Sequence, residues 1–100
     1  MPRYVLMTRL SPSALHDADA RRSAGRQWFD RVKEKCPDVK GIAHYALLGP
    51  YDFMDLYDAP DPETAQKVSL LSRAEGAVAA ESWQALPYEQ YLSALDEITP

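Results

Sequence analysis

Apolar and polar residues alternate at the start of the chain, with the period of two that is typical of a β-strand. Three later segments are short, apolar and rich in strand-forming residues, and proline or glycine stands near their ends. The pattern therefore predicts four strands. They are Arg3–Leu10, Val39–Leu48, Tyr51–Asp58 and a strand within Ala77–Leu86 centred on Glu81–Ala85.

Helical segments separate these strands and begin at residues that cap helices well. Ser11, which a proline follows, is the predicted N-cap of a first helix that runs to about Cys36. Asp61 is the predicted N-cap of a second helix that ends near Ala74, before the stop at Gly76. A proline then opens a short terminal helix with one apolar face, made of Tyr88, Tyr91, Leu92 and Leu95.

The predicted order is β-α-β-β-α-β plus a terminal helix, which is the split βαβ arrangement of a ferredoxin-like α+β fold. A chain of 100 residues is long enough to fold alone, so we expect one domain over residues 1–100. Two helices cover one face of a four-stranded sheet and leave the other face open. Because large exposed apolar patches are unusual on monomers, we expect a two-fold partner and hence a homodimer.

Composition narrows the possible partners and surroundings. A formal net charge of −4 argues against nucleic acid or an anionic membrane as a partner, since both require clustered lysine and arginine. The chain has neither the pattern of a signal peptide nor an apolar stretch that could span a bilayer. Its single cysteine, Cys36, fits a reducing compartment, and we interpret it as a small core residue of a cytoplasmic protein.

Gly49 and Pro50 stand between two apolar runs and predict a tight β-hairpin. If these two residues alone form the loop, His44 lies opposite Asp55, with their Cβ atoms about 5 Å apart. The same register pairs Ala46 with Phe53 and Ile42 with Tyr57, all on one face of the sheet.

The His44–Asp55 pair would then lie among the aromatic side chains of Tyr51, Phe53 and Tyr57. Burial raises the pKa of a carboxyl group, whereas a neighbouring imidazolium lowers it. Such a pair is a candidate acid and base because it can move a proton. The alternatives are a hydrogen-bonded pair with a structural role only, or a surface pair if that face is exposed.

Other polar residues predict chemistry less strongly. His16, Asp17 and Asp19 resemble a small metal cluster, but we interpret them as a solvated helix start and expect no metal. An anion could bind the arginines of the first helix, although a basic helix face is usually just solvated. These arginines are Arg21, Arg22 and Arg26. The chain has no glycine-rich phosphate loop and no Cys-x-x-Cys pair, so no cofactor is expected.

Short motifs follow one order along nearly the whole chain: Met1–Leu6, Thr8–Pro12, Leu48-Gly49-Pro50-Tyr51-Asp52, Ala59-Pro60-Asp61, Gly76 and Ala85-Leu86. Together they resemble the GYD-domain family of small bacterial proteins, whose signature is Leu-Gly-x-Tyr-Asp. The resemblance implies a dimeric α+β barrel, in which two ferredoxin-like protomers face each other around a cavity. Pro50 stands at the variable position of the signature, and His44 and Asp55 put polar groups into strands that the family usually keeps apolar or aromatic.

The signature residues Tyr51 and Asp52 are further candidates. Asp52 can brace the hairpin by bonding nearby backbone groups, and the phenol of Tyr51 can line the mouth of a pocket. The resemblance does not choose an activity, because its neighbours in fold include monooxygenases, isomerases, haem proteins and effector-binding domains.

Three functions follow as hypotheses. The first is a protein that binds an apolar or aromatic small molecule, in a cavity between sheet and helices or at the dimer interface. Its ligand contacts are then Tyr51, Asp52, Phe53 and Tyr57. The second is a cofactor-independent isomerase or monooxygenase that uses His44 and Asp55, and the third is haem binding through His44.

Overall fold

A computed structural model describes residues 1–15 and 17–100. Within these residues the chain forms four strands, three α-helices and one short 3₁₀ helix. In chain order they are β1 (Arg3–Leu10), the 3₁₀ helix (Pro12–Leu15), α1 (Ala18–Lys35), β2 (Lys40–Ala46), β3 (Phe53–Asp58), α2 (Pro62–Ala74), β4 (Ala77–Ala85) and α3 (Tyr88–Ile98).

The strands form one antiparallel sheet in the order β2-β3-β1-β4, which confirms the predicted ferredoxin-like α+β fold. α1 and α2 supply the helical side of the core. The central strand β1 alternates as predicted, with Tyr4, Leu6 and Thr8 buried and the residues between them more exposed. The core cluster consists of Tyr4, Leu6, Val32, Cys36, Tyr57, Ala59, Ala65 and Val68.

α1 begins later than the sequence pattern predicts. Ser11 is not its N-cap, because the 3₁₀ helix takes up the residues that follow it. Instead the Asp17 carboxylate accepts hydrogen bonds from the N–H groups of Asp19 and Ala20, at 3.0 and 3.1 Å. Aspartate suits this position because it satisfies N–H groups that have no partner inside the helix.

The predicted limits of α2 are confirmed. Asp61 caps the helix by accepting a hydrogen bond from the Thr64 N–H at 2.7 Å, and Pro62 is the first helical residue. The helix ends at Ala74, and Gly76 follows with a φ of 105°. This left-handed backbone is cheap only for glycine, so Gly76 turns the chain directly into β4.

The hairpin between β2 and β3 keeps most of the predicted register but not the predicted loop. The Leu47 N–H donates to the Asp52 carbonyl at 2.8 Å, so the loop has four residues, Leu48–Tyr51, rather than two. His44 still faces Asp55, and Ala46 faces Phe53.

The predicted pairing of Ile42 with Tyr57 is wrong. The register shifts between Gly41 and Ala43, and Gly41 lies opposite Tyr57 instead. A β-bulge of this kind places one extra residue in one strand, which ends the simple alternation of faces there.

The second face of the sheet carries no helix among the described residues. On β1, β3 and β4 the register places Val5, Leu56 and Trp83 side by side on this face, with Met7 and Met54 next to them. We call this surface the open face.

α3 has no buried residue and makes no extensive contact with the other described elements. Its exposed apolar residues are Tyr88, Tyr91, Leu92, Leu95 and Ile98. No helix of the described residues has both the length and the apolar character that crossing a bilayer requires.

Candidate functional site

A cavity of about 590 Å³ lies between α1 and the helix-facing side of the sheet. Its volume is in the range of small-molecule binding sites, roughly 300–1,000 Å³. The wall is mostly apolar, with a few charged and polar groups. Its members include Trp28, Phe29 and Val32 from α1, Ile42 and His44 from β2, Phe53, Asp55 and Tyr57 from β3, and Val68 and Ser72 from α2.

His44 and Asp55 meet on this wall, as the register predicts. The His44 Nδ1 and the Asp55 Oδ1 are 2.6 Å apart, and an ionised Asp55 accepts this hydrogen bond from Nδ1–H. The Asp55 side chain is only 13% exposed, whereas that of His44 is 61% exposed. Burial therefore raises the pKa of the Asp55 carboxyl, and the nearby His44 opposes this shift without cancelling it.

Phe53 joins this pair to α1. Its ring stacks on the His44 ring with centroids 5.4 Å apart, and the Arg21 Cζ lies 5.1 Å from the Phe53 centroid. Cations over aromatic faces are attracted by the negative face of the ring. The wall thus carries a continuous row of Arg21, Phe53, His44 and Asp55.

Tyr57 lies deeper and is held by the core. Its hydroxyl donates to the Ala65 carbonyl at 3.3 Å and shares a hydrogen bond of 2.7 Å with the Ser82 hydroxyl. Burial raises the pKa of Tyr57 to about 12. The phenol therefore stays protonated at neutral pH, so it can shape the cavity but is a poor general acid there.

Tyr51 and Asp52 lie away from this cavity. The Tyr51 hydroxyl donates to the Glu81 Oε2 at 2.7 Å. The Tyr51 ring lies edge-on to the Trp83 ring with centroids 6.1 Å apart, so the Tyr51 side chain lies on the side of the open face. Tyr51 is therefore not beside the His44–Asp55 pair as predicted, because it belongs to the loop and strand alternation does not govern its direction.

Asp52 braces the hairpin, but through a distant partner. Its carboxylate accepts a hydrogen bond from the Leu10 N–H at 2.7 Å, and its own N–H donates to the Thr8 carbonyl at 2.8 Å. These bonds tie the β2–β3 loop to the end of β1. The structural role expected of this signature residue is thus visible, whereas the ligand contact remains a prediction.

Several wall residues were not singled out as site residues by the sequence pattern. Lys33 and Gly25 line the cavity from α1, and Glu75 lines it from the residue after α2. One indication was present in the sequence: Arg21, Gly25, Trp28 and Val32 recur three or four positions apart, so they share one face of a helix. The sequence pattern does not predict that the sheet leaves an open space in front of that helix face.

The other candidates are placed less favourably for chemistry. His16 lies outside the described residues, Asp17 caps α1, and Asp19 pairs with Arg22. Within residues 1–15 and 17–100, no three potential metal ligands cluster together. Cys36 is buried in the core, and burial raises the pKa of its thiol.

The buried Asp55 carboxyl predicts that stability depends on pH. Because its pKa in the folded chain is raised above 3.8, the folded state holds this proton more tightly than the unfolded state. The free energy of unfolding should therefore fall as pH rises from 3.8 through the raised folded value. Asp55→Asn should remove that decline, as measured by urea unfolding across this pH range.

Asp58 is a control for this prediction, because its pKa is shifted in the opposite direction. Its hydrogen bond with Arg3 lowers its pKa, so its contribution to stability is present at neutral pH and is lost as pH falls. Asp58→Asn should therefore flatten the acid side of the profile. Profiles of wild type and Asp55→Asn that stay parallel would contradict the assignment of the decline to Asp55.

Comparison with known proteins relates this chain to a protein family. A protein of Thermus thermophilus described as a glutamine synthetase and cystathionine beta-lyase binding protein is 33% identical over 57 residues, which are 57% of this chain and 60% of that protein. The crystal structure of MtbAldR is similar in fold, with a TM-score of 0.61 at 20% identity, over 86% of this chain and 53% of that one. The chain thus spans little more than half the length of either protein. The family model described as GYD domain matches residues 4–95, and the chain belongs to the GYD domain family.

Proposed function

We propose that this protein binds a small apolar or aromatic molecule in the cavity between α1 and the sheet. The observation that carries the proposal is the cavity itself, about 590 Å³ with a predominantly apolar wall. Binding sites of this kind combine an apolar wall with a few well-placed polar groups that orient the ligand. Here Trp28 and Phe53 supply aromatic surface, and the His44–Asp55 pair supplies the polar groups.

Gly25 provides a direct test, because it lines the cavity without a side chain of its own. A Cβ placed there would meet only the Arg21 guanidinium, at 3.7 Å, so a larger side chain has room to grow into the cavity. We expect Gly25→Leu to weaken binding of the fluorescent apolar probe N-phenylnaphthylamine (NPN) about tenfold or more, a loss of roughly 1.4 kcal/mol. The fold should be retained, since glycine inside a helix is less favourable than leucine.

Ser23→Leu is the matched control, because it adds the same side chain to an exposed position of the same helix. Its affinity for NPN should equal that of the wild type in a fluorescence titration. If NPN binds both leucine variants and the wild type equally, the probe does not occupy this cavity and the proposal is wrong.

The open face and α3 support a homodimer as the working unit. The apolar side chains of Val5, Met54 and Leu56 lie together on the open face, with Trp83 47% exposed beside them. A second copy related by a two-fold axis covers such a face with the same face of its partner. Light scattering at micromolar concentration should then give twice the chain mass of 11.2 kDa.

Acid–base catalysis is a second candidate, favoured by the 2.6 Å contact between His44 and Asp55 in the cavity wall. An ionised Asp55 that accepts from Nδ1–H leaves the Nε2 of His44 free to take a proton from a bound molecule. This arrangement suits a cofactor-independent isomerase or monooxygenase. His44→Gln would then abolish turnover while NPN still binds.

Haem binding through His44 is a weaker candidate. Asp55 holds Nδ1, so the iron would have to be reached by Nε2, and a haem would need an open approach to that atom. A Soret band after reconstitution that His44→Gln removes would favour it over the other two candidates.

A further inference from the structure

On the cavity wall the acidic side chains are paired with basic or imidazole groups, whereas the basic side chains are not paired with carboxylates. Among the residues that the structure describes, two carboxylates line the cavity, and both have partners. Asp55 is bonded to His44 at 2.6 Å, and Glu75 accepts a hydrogen bond from Arg31 at 2.8 Å. Neither carboxylate therefore needs a cation from a ligand.

The two cationic side chains on the wall contact aromatic rings instead. The Lys33 Nζ lies 4.6 Å from the Phe29 centroid, and the Arg21 Cζ lies 5.1 Å from the Phe53 centroid. Within residues 1–15 and 17–100, no ion pair within 4.0 Å joins Arg21 or Lys33 to a carboxylate. The cavity wall thus carries positive charge that the described protein groups do not neutralise.

Arg21 is the better placed of the two cations. It is half-buried, and its contact with Phe53 places it next to the His44–Asp55 pair, whereas Lys33 is exposed. A guanidinium has five N–H donors in a fixed plane, and it pairs with an oxyanion through two parallel hydrogen bonds. Arg21 also lies in the first turns of α1, where the helix dipole favours negative charge, although the Asp17 carboxylate already caps that end.

From this uneven pairing we infer that the ligand is an organic anion, whose acid group pairs with Arg21 while its apolar body lies against Phe53 and Trp28. The inference rests on the proposed function of the cavity and adds the charge of the ligand to it. The net charge of the chain is −4, so the attraction is a local property of this wall and not of the whole molecule.

Two probes that share one apolar body, one of them uncharged and the other anionic, test the inference. Anilinonaphthalene sulfonate (ANS) is NPN with one added sulfonate group, and both fluoresce when they enter an apolar site. Arg21→Gln should weaken ANS binding about tenfold or more, because the sulfonate loses its charge-assisted hydrogen bonds to the guanidinium. The affinity for uncharged NPN should stay within about twofold of the wild type, a change below roughly 0.5 kcal/mol.

Three further variants locate the effect. Arg26→Gln removes the same charge from an exposed position of α1 outside the cavity, so both affinities should be unchanged. Arg21→Lys keeps the charge but loses the planar pair of donors, so it should retain part of the ANS affinity. Gly25→Leu should weaken both probes, which shows that they share this cavity.

The outcomes separate this inference from the proposed function. If NPN binds and Arg21→Gln leaves the ANS affinity unchanged, the ligand charge is wrong and the apolar cavity stands. If Arg21→Gln and Arg26→Gln weaken ANS equally, the effect is general electrostatics and the inference is also overturned. If neither probe binds the wild type, the cavity is not a ligand site and both proposals fail.

Discussion

Leu6→Ala should lower the free energy of unfolding by about 2.7–5 kcal/mol. Leu6 is 0% exposed and lies on the central strand of the sheet, with β3 on one side and β4 on the other. Replacing leucine with alanine removes buried apolar atoms and leaves a space that the surrounding core can only partly close. The loss is a large fraction of the stability of a domain of this size, which is roughly 5–15 kcal/mol.

Urea unfolding measures this effect, and Leu48→Ala is its control. Leu48 is fully exposed in the loop between β2 and β3, so the same substitution there should change stability by no more than about 0.5 kcal/mol. Equal losses at the two positions would mean that Leu6 does not lie in the core described here. Because β1 also carries cavity residues such as Thr8, Leu6→Ala should weaken NPN binding as the fold loosens.

Met54→Lys should convert the proposed homodimer into monomers at micromolar concentration. Met54 lies on the open face, near the start of β3, where its register neighbours are Met7 and Tyr45. A two-fold interface would bury one new ammonium group from each chain among the apolar side chains of the open face. An unpaired buried charge costs about 3–5 kcal/mol, so the dimer dissociation constant should rise by roughly 100-fold or more.

Sedimentation or light scattering across a concentration series measures this shift. Leu70→Lys is the control. Leu70 is 52% exposed on α2, away from the open face, so a lysine introduced there should leave the dimer intact. A wild-type chain that is monomeric at these concentrations would contradict the proposed homodimer. A dimer that Met54→Lys leaves unchanged would mean that the interface does not use the open face, and α3 would be the next surface to substitute.

Local rules were enough for much of this fold. The alternation along β1, the N-cap at Asp61 and the turn at Gly76 all depend on residues within a few positions of one another, and the structure has each of them as predicted. The pairing of His44 with Asp55 was also predicted correctly from local rules. The four-residue loop that replaced the expected two-residue loop is symmetric about the same centre, so the register did not change.

The sequence by itself therefore determined the order of the elements, the ferredoxin-like sheet and the His44–Asp55 contact, because hydrophobic period and turn residues act over short distances along the chain. Tertiary structure decided the rest. The bulge beside Gly41 and the bond from Leu10 to Asp52 depend on strands that meet only after folding. The placement of Arg21 over Phe53 was decided in the same way, because it depends on how α1 lies across the sheet, which no local pattern in either segment contains.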